Sequence, residues 1–169
     1  SGKTTTGLAL VAAGWSYLAN DTALLREEDG RFHVLPSQGL INVFPDTLAL
    51  VPELAGRLAL PAEHPPGWKY MLKRSDIFEA SELGGTTEIG AALFPQRSAS
   101  QECRLQEVRP AVALARMLEQ DVDRWDKATY IEHFDFLTDM FRRTPSYDLL
   151  IPDGRPRDAA EFISSEFGA

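Results

Sequence analysis

The sequence predicts an α/β domain that has a mixed sheet and a helical C-terminal third. An apolar repeat of helical spacing opens the chain, short strand-like stretches fill its middle, and longer helical repeats occupy its end. Because helices and strands do not alternate strictly, a mixed sheet is favoured over a purely parallel one. The 169 residues show no internal repeat and no boundary between domains, so we expect residues 1–169 to form one domain.

The first half of the chain is predicted to hold one helix followed mainly by strands. Leu8, Val11 and Trp15 recur at helical spacing, which predicts a helix over residues 4–13. Asp29-Gly30 is typical of a tight turn and predicts a β-hairpin. The other elements expected here are strands over residues 16–19, 22–25, 32–35 and 39–44, a helical segment over 46–55 and a proline-rich loop over 61–67.

The second half is predicted to return to helices after a few more strands. The apolar residues 89–94 end at Pro95, as a buried strand would. A repeat that includes Tyr130 and Phe134 predicts a helix over residues 128–143 with one apolar face. The remaining expected elements are strands over residues 68–72 and 104–108, and helices over 111–119 and 159–167.

The opening residues Ser1-Gly2-Lys3-Thr4-Thr5 match the end of the phosphate-binding pattern G-x-x-x-x-G-K-[ST]. In that pattern the glycine lets the backbone approach a phosphate, the lysine contacts the β- and γ-phosphates, and the hydroxyl binds Mg²⁺. The helix that follows directs its positive end at the same anion. We expect these five residues to bind nucleotide and the missing first glycine and its strand to lie upstream of Ser1. The alternative is a chance turn.

A second candidate element is the pair Asn20-Asp21, which follows an apolar stretch soon after the first helix. A carboxylate in this place can hold Mg²⁺ or accept the proton of an attacking hydroxyl, so Asp21 is expected to position the metal ion or, instead, to serve as the base. The carbonyl oxygen of Asn20 can orient a hydroxyl or a metal-bound water. The alternative is a plain turn, which both residue types favour. Arg97 is expected to pair with a phosphate, with a solvated surface arginine as the alternative.

These residues resemble the HPr kinase/phosphorylase-like P-loop proteins. The resemblance covers residues 1–10 and 14–25, and it returns over 93–97 and 105–118. It implies the fold of HPr kinase, related to the nucleotide domain of phosphoenolpyruvate carboxykinases. It further implies Mg²⁺-dependent transfer of phosphate from ATP to a hydroxyl, carried by a peptide or a small molecule. The family typically has an Asp-Asp pair, which Asp21 matches and Asn20 does not. HPr kinases are hexamers, so the resemblance is compatible with a homo-oligomer.

Two hypotheses about function follow. The first is an ATP-dependent kinase, with Lys3 on the phosphates, Thr4 and Asp21 on Mg²⁺, and an acceptor hydroxyl attacking in line. The second is a nucleotide-binding regulatory or assembly protein with reduced catalysis. Asn20 favours the second hypothesis, because an amide cannot act as a general base.

Composition and charge exclude several other classes of protein. Seventeen basic and 25 acidic residues give a net charge of −8, which argues against nonspecific binding of nucleic acid. The single cysteine, Cys103, rules out a disulfide within the chain. No apolar run approaches the roughly 20 residues that cross a bilayer, so we expect no membrane contact and a cytoplasmic location.

Overall fold

The computed structural model describes residues 2–60, 65, 67–119 and 127–168. Its helices are α1 (Lys3–Ala12), α2 (Pro45–Ala49), α3 (Pro52–Ala55), α4 (Arg74–Ile77), α5 (Pro110–Leu118), α6 (Lys127–Arg143) and α7 (Pro156–Phe167). Its strands are β1 (Leu24–Glu28), β2 (Arg31–Leu35), β3 (Ile41–Val43), β4 (Tyr70–Leu72), β5 (Thr87–Glu88), β6 (Ala92–Ser98), β7 (Arg104–Glu107) and β8 (Ser146–Pro152). A 3₁₀ turn spans Ala80–Glu82.

A three-stranded sheet in the order β6-β8-β7 organises the fold. β6 and β8 run parallel, in a register that starts with the pair Ala92 and Ser146 and ends with the pair Ser98 and Pro152. β7 runs antiparallel to β8 on its other side. The chain is therefore α/β with a mixed sheet, as the sequence predicts.

Helices cover both faces of this sheet. On one face Leu149 packs with Ile163 of α7, and α1 lies against α7. On the other face the ring of Phe94 on β6 lies 6.5 Å from that of Phe141 on α6, centroid to centroid. Because successive residues of a strand point to opposite faces, β6 contributes to both cores, with Phe94 on the α6 side and Leu93 on the α7 side. The result is a layer of strands between two layers of helices.

The predicted hairpin is confirmed, and it packs against the helical layer that contains α6. Asp29 and Gly30 have φ of 51° and 74°, the left-handed conformation that a two-residue turn between twisted strands requires. Phe32 of β2 is buried beside α6. The guanidinium of Arg143 lies over this ring, 4.4 Å from its centroid, and donates to the carbonyl of Gly30 at 2.8 Å. β5 extends the hairpin on the β2 side.

A separate two-stranded ribbon, β3 with β4, lies on the α1 side of the molecule. Ile41 and Val43 are 0% and 1% exposed. They join Leu8 of α1, Leu48 of α2 and Leu54 of α3 in one core cluster. The ribbon and the two short helices are thereby fixed against the first helix.

The helical segment expected over residues 46–55 is divided into α2 and α3. Pro52 begins α3, and the residue before it, Val51, has φ −131° and ψ 67°. A proline disfavours the helical conformation in the preceding residue and cannot donate a backbone hydrogen bond, so the first helix ends before it.

The strands expected over residues 16–19 and 22–25 need correction. Within 16–19 only Tyr17 forms a bridge, with Leu83, and its amide donates to Glu82 O at 2.7 Å. The neighbouring segment turns as a 3₁₀ helix, so no second strand runs alongside to extend the ladder. The strand expected at residue 22 begins at Leu24.

The strand expected over residues 89–94 is displaced along the chain. β6 begins at Ala92 and runs through Pro95 to Ser98. In the described sheet β6 is an edge strand, and an edge accommodates a proline whose missing N–H is not needed by a second neighbour. Pro95 is therefore not a stop signal here.

The C-terminal third is not wholly helical, because it contains the central strand β8 between α6 and α7. Asp148 interrupts the apolar pattern of this strand. Its carboxylate accepts hydrogen bonds from both terminal nitrogens of Arg116, the second at 3.3 Å, and from Gln96 Nε2 at 2.6 Å. These partners are distant in sequence, and they compensate the charge of the largely buried Asp148 side chain. A local sequence pattern does not reveal such partners.

The remaining predicted elements are confirmed with small shifts of their ends. Helices predicted over residues 4–13, 111–119, 128–143 and 159–167 correspond to α1, α5, α6 and α7. Strands predicted over 32–35, 39–44, 68–72 and 104–108 correspond to β2, β3, β4 and β7. The loop expected over 61–67 falls largely outside the described residues.

Candidate functional site

The N-terminus of α1 lies beside the middle of β6. A Cβ atom added to Gly2, the residue before the helix, would sit 3.9 Å from Cβ of Pro95. Further along, Leu10 of α1 and Leu93 of β6 pack against the same cluster of β8 and α7 residues. α1 therefore starts beside the middle of β6, and the carboxyl end of that strand, at Ser98, lies three residues further on. In open α/β sheets, ligands bind outside the carboxyl ends of the parallel strands.

The first turn of α1 has the donors that suit an anion. The first amide with a helical acceptor is that of Thr6, which donates to Gly2 O at 2.9 Å. The amides of Thr4 and Thr5 have no carbonyl within the helix to bind. No side chain caps this end, and the first turn holds no acidic residue. The positive end of the helix dipole is thus not neutralised by its own sequence.

The residues predicted from the sequence to bind phosphate differ in their exposure and in their contacts within this turn. Lys3 is exposed at the first helical position, and Thr4 is partly buried beside it. The hydroxyl of Thr5 lies 3.2 Å from the hydroxyl of Thr47 on α2. This contact joins the start of α1 to the segment that follows β3. Ser1 lies outside the described residues.

Asp21 is exposed in a bend, not at the end of a strand. Its Oδ2 accepts a long hydrogen bond of 3.5 Å from Nδ2 of Asn42 on β3. The same short segment that carries Asn42 continues into α2, where Thr47 contacts Thr5. Asp21 and the first turn of α1 are therefore connected through one piece of chain, residues 42–47.

Asn20 differs from Asp21 in its surroundings. Its amide nitrogen is buried and has no hydrogen-bond partner among the described residues. A buried amide nitrogen cannot contact a hydroxyl or a metal-bound water from solvent, so only the carbonyl oxygen retains the predicted orienting role. The neighbouring acid is solvent-accessible and is the better placed of the two for chemistry.

Tyr17 lies close enough to Asp21 to be affected by its charge, and its phenol is neutral. Burial raises the pKa of Tyr17 to about 12, the charge of nearby Arg74 opposes this shift, and the charge of Asp21 adds to it. The ring packs 4.5 Å from that of Phe78, centroid to centroid. With this pKa the phenol is a hydrogen-bond donor, not a base, at physiological pH.

Arg97 lies two residues beyond Pro95, on the same face of β6 and closer to its carboxyl end. Its guanidinium is 3.4 Å from Asp153, and both side chains are about three-quarters exposed, at 74% and 73%. An exposed ion pair contributes little to stability, so exchanging this partner for a phosphate costs the fold little. Its place is consistent with the predicted phosphate contact.

Asn42 and Thr47 are the residues of this region that sequence reasoning does not identify. Asn42 is a polar residue between the buried Ile41 and Val43, which is the signal it offers. Thr47 offers no such signal, because its contact with Thr5 joins residues 42 positions apart.

The described residues hold neither a cluster of metal ligands nor a membrane-spanning helix. Within residues 2–60, 65, 67–119 and 127–168, no three His, Cys, Asp or Glu side chains come together as metal ligands would. No helix in those parts of the chain is both long enough and apolar enough to cross a bilayer.

No protein-family model matches the chain. No curated protein and no solved structure matches it with significance.

Proposed function

We propose that this protein is an HPr kinase-like P-loop protein that binds Mg-ATP and transfers its γ-phosphoryl group to the hydroxyl of a peptide or small molecule. The observation that carries the proposal is the uncapped start of α1. There the sequence Gly2-Lys3-Thr4 opens the helix, and Gly2 lies beside Pro95 at the middle of β6. The sequence is typical of a phosphate loop, and the ligands of α/β sheets bind toward the carboxyl ends of the parallel strands.

The residues present fit a triphosphate with its metal ion. The amides of Thr4 and Thr5 and the ammonium of Lys3 are donors of the kind that bind phosphate oxygens, and Ser1 and Gly2 belong to the same stretch of the phosphate-binding pattern. Mg²⁺ takes hard oxygen ligands and needs few from protein, since phosphates and waters supply the others. The Thr4 hydroxyl is such a ligand, and the Asp21 carboxylate is a second one where it does not act as the base. Bound there, Mg²⁺ would neutralise charge on the phosphates.

Asp21 is the proposed base. As the acceptor oxygen bonds to the γ-phosphorus, the bond from phosphorus to the ADP oxygen breaks, and the hydroxyl proton passes to the carboxylate. Asp21 is exposed, so an acceptor can reach it, and Asn42 fixes one of its oxygens. Arg97 is proposed to pair with phosphate oxygens from the β6 side.

A second candidate function is a nucleotide-binding regulatory or assembly protein with reduced catalysis. The buried amide of Asn20, in place of the first acid of the expected pair, favours this alternative. Both candidates require nucleotide binding, and only the first requires phosphoryl transfer.

Mg-ATP is expected to raise the Tm of the protein, because a ligand that binds only the folded state stabilises it. A ligand at 100 times its Kd stabilises the folded state by about 2.7 kcal/mol. For a domain of this size that corresponds to about 5–10 °C. Differential scanning fluorimetry with ATP, with Mg-ATP and with Mg²⁺ alone measures the effect. No shift at millimolar Mg-ATP would refute both candidate functions.

Gly2→Ala is expected to weaken ATP binding by about tenfold or more while changing stability by less than about 1 kcal/mol. Gly2 has a negative φ of −149°, and an added Cβ would meet Pro95 and Thr6 at 3.9 Å, an ordinary contact distance. The described protein therefore does not require glycine here, whereas a phosphate approaching the backbone would. Titration calorimetry gives the affinity and urea unfolding gives the stability. An unchanged affinity would place Gly2 away from the ligand.

A further inference from the structure

The β3–β4 ribbon has one buried face and one exposed face. Its register pairs Ile41 with Leu72, Asn42 with Met71 and Val43 with Tyr70. Because paired residues of an antiparallel ladder share a face, Asn42 and Met71 point away from the buried Ile41 and Val43. We define the ribbon face as the alternating outward positions on both strands and their extensions: Leu40, Asn42, Phe44, Lys69, Met71 and Lys73.

This ribbon face exposes large apolar side chains. Met71 is 73% exposed, Leu40 is 49% exposed and Phe44 is 44% exposed. Trp68, which adjoins the ribbon, is 69% exposed. Single exposed apolar residues are ordinary, but several on one face of a short ribbon are typical of a surface that binds a partner.

The ribbon face is also basic within an acidic chain. Two of its six positions are lysines and none is acidic, although the whole chain has a net charge of −8. The ammonium of Lys69 lies 5.0 Å from the centroid of the Phe44 ring, which confirms that the two side chains share this face. The surface thus offers apolar area with a cation beside it, and it is complementary to an apolar segment that carries a carboxylate.

The ribbon face is continuous with the proposed base. Asn42, which pairs directly with Met71, is the residue whose amide contacts Asp21 at 3.5 Å. Cross-strand partners have Cβ atoms about 4.5–5.5 Å apart. A chain lying over Met71 therefore passes beside the carboxylate that receives the hydroxyl proton in the proposed reaction.

We propose that the ribbon face binds the phosphate acceptor, and that this acceptor is an extended peptide. The peptide carries a large apolar side chain, which packs on Met71 and Phe44, and a carboxylate, which pairs with Lys69. Its serine or threonine hydroxyl is presented to Asp21. This inference rests on the proposed function and names its substrate class. A small polyol would leave the apolar area unused, and a second copy of this acidic chain would lack the charge complementarity.

The test compares fluorescein-labelled serine peptides of equal length that differ at one apolar and one charged position. Fluorescence anisotropy gives Kd in the presence of Mg²⁺ and a non-hydrolysable ATP analogue, and ADP release gives kcat/KM with Mg-ATP. We expect the wild-type protein to prefer peptides with Leu or Phe and with Glu by about tenfold over peptides with Ser and with Lys. Met71→Ser should remove the apolar preference, and Lys69→Glu should reverse the charge preference.

Ile131→Ser is the matched control, because Ile131 is a 49% exposed apolar residue on α6, in the other helical layer. This variant should keep both preferences. Preferences that survive Met71→Ser and Lys69→Glu would overturn the proposal. So would equal kcat/KM for a peptide and a small polyol, or a dimer that sedimentation shows to dissociate on Met71→Ser. Nucleotide binding is measured on every variant: without it in the wild type, the proposed function fails and this inference fails with it.

Discussion

Asp21→Asn is expected to lower phosphoryl transfer by about 10²–10⁴-fold, the usual contribution of a general base. The substitution keeps the size of the side chain and its contact with Asn42 Nδ2 through the remaining oxygen. It removes the negative charge that attracts Mg²⁺ and the lone pair that takes the proton. Because the proposed site also binds the phosphates through the first turn of α1, we expect much of the nucleotide affinity to remain. ADP release with a hydroxyl acceptor measures the rate, and calorimetry measures the affinity.

Asp29→Asn is the matched control for this loss of charge. Asp29 is exposed at the hairpin tip with φ 51°, a conformation that asparagine tolerates well. The control should leave turnover and stability unchanged. If turnover in Asp21→Asn also stays at the wild-type level, Asp21 does not belong to the catalytic site, and the kinase proposal loses its base.

The alternative function predicts a different pattern in the same assay. A nucleotide-binding protein without catalysis should show no ADP release in the wild type, and Asp21→Asn should then alter only the Mg²⁺ dependence of nucleotide binding. Asn20→Asp is the informative companion. The amide nitrogen of Asn20 is buried without a partner among the described residues, so a carboxylate there is expected to destabilise the fold instead of restoring activity.

Elements with strong local signals could be predicted from the sequence alone. The hairpin follows from Asp29-Gly30, because few residue pairs adopt two successive left-handed conformations. α1 follows from the spacing of Leu8 and Val11, both of which are buried. In these cases the information lies within a few residues, and the tertiary structure only adjusts the ends.

The central strand β8 could not be predicted in this way. Its third residue, Asp148, would be costly to bury alone. Its partners are Gln96, on the neighbouring strand β6, and Arg116, on a helix that is far away in sequence. Local patterns do not include such partners, and the position between two helices favoured a helical interpretation.

The candidate site shows the same division between local and long-range information. Gly2, Lys3 and Thr4 could be identified as a group, because a phosphate loop is a continuous stretch of sequence. The connection from Asp21 through Asn42 to Thr47 and Thr5 could not, since it depends on where β3 and α2 lie after folding. Its physical basis is the burial of Ile41 and Val43 against α1, which sets the position of that segment.

Lys3→Ala is expected to weaken ATP binding by about 10–100-fold and to leave adenosine binding unchanged. Lys3 is exposed at the first position of α1, where its ammonium can reach the β- and γ-phosphates beside the helix amides. A hydrogen bond to a charged group contributes about 1.5–3 kcal/mol, which corresponds to that loss of affinity. Alanine is the strongest helix former, so the helix itself should persist.

Calorimetric titration with ATP, ADP and adenosine separates the phosphate contribution from that of the base and sugar. The loss should be largest for ATP, smaller for ADP and absent for adenosine, because the removed charge acts on the terminal phosphates. Lys3→Arg should retain more ATP affinity than Lys3→Ala, since it keeps the charge but not the compact ammonium. The difference between wild type and Lys3→Ala should shrink as salt is raised, because screening weakens exposed charge pairs. Equal losses for ATP and adenosine would mean that Lys3 supports the fold of the loop and does not contact the phosphates.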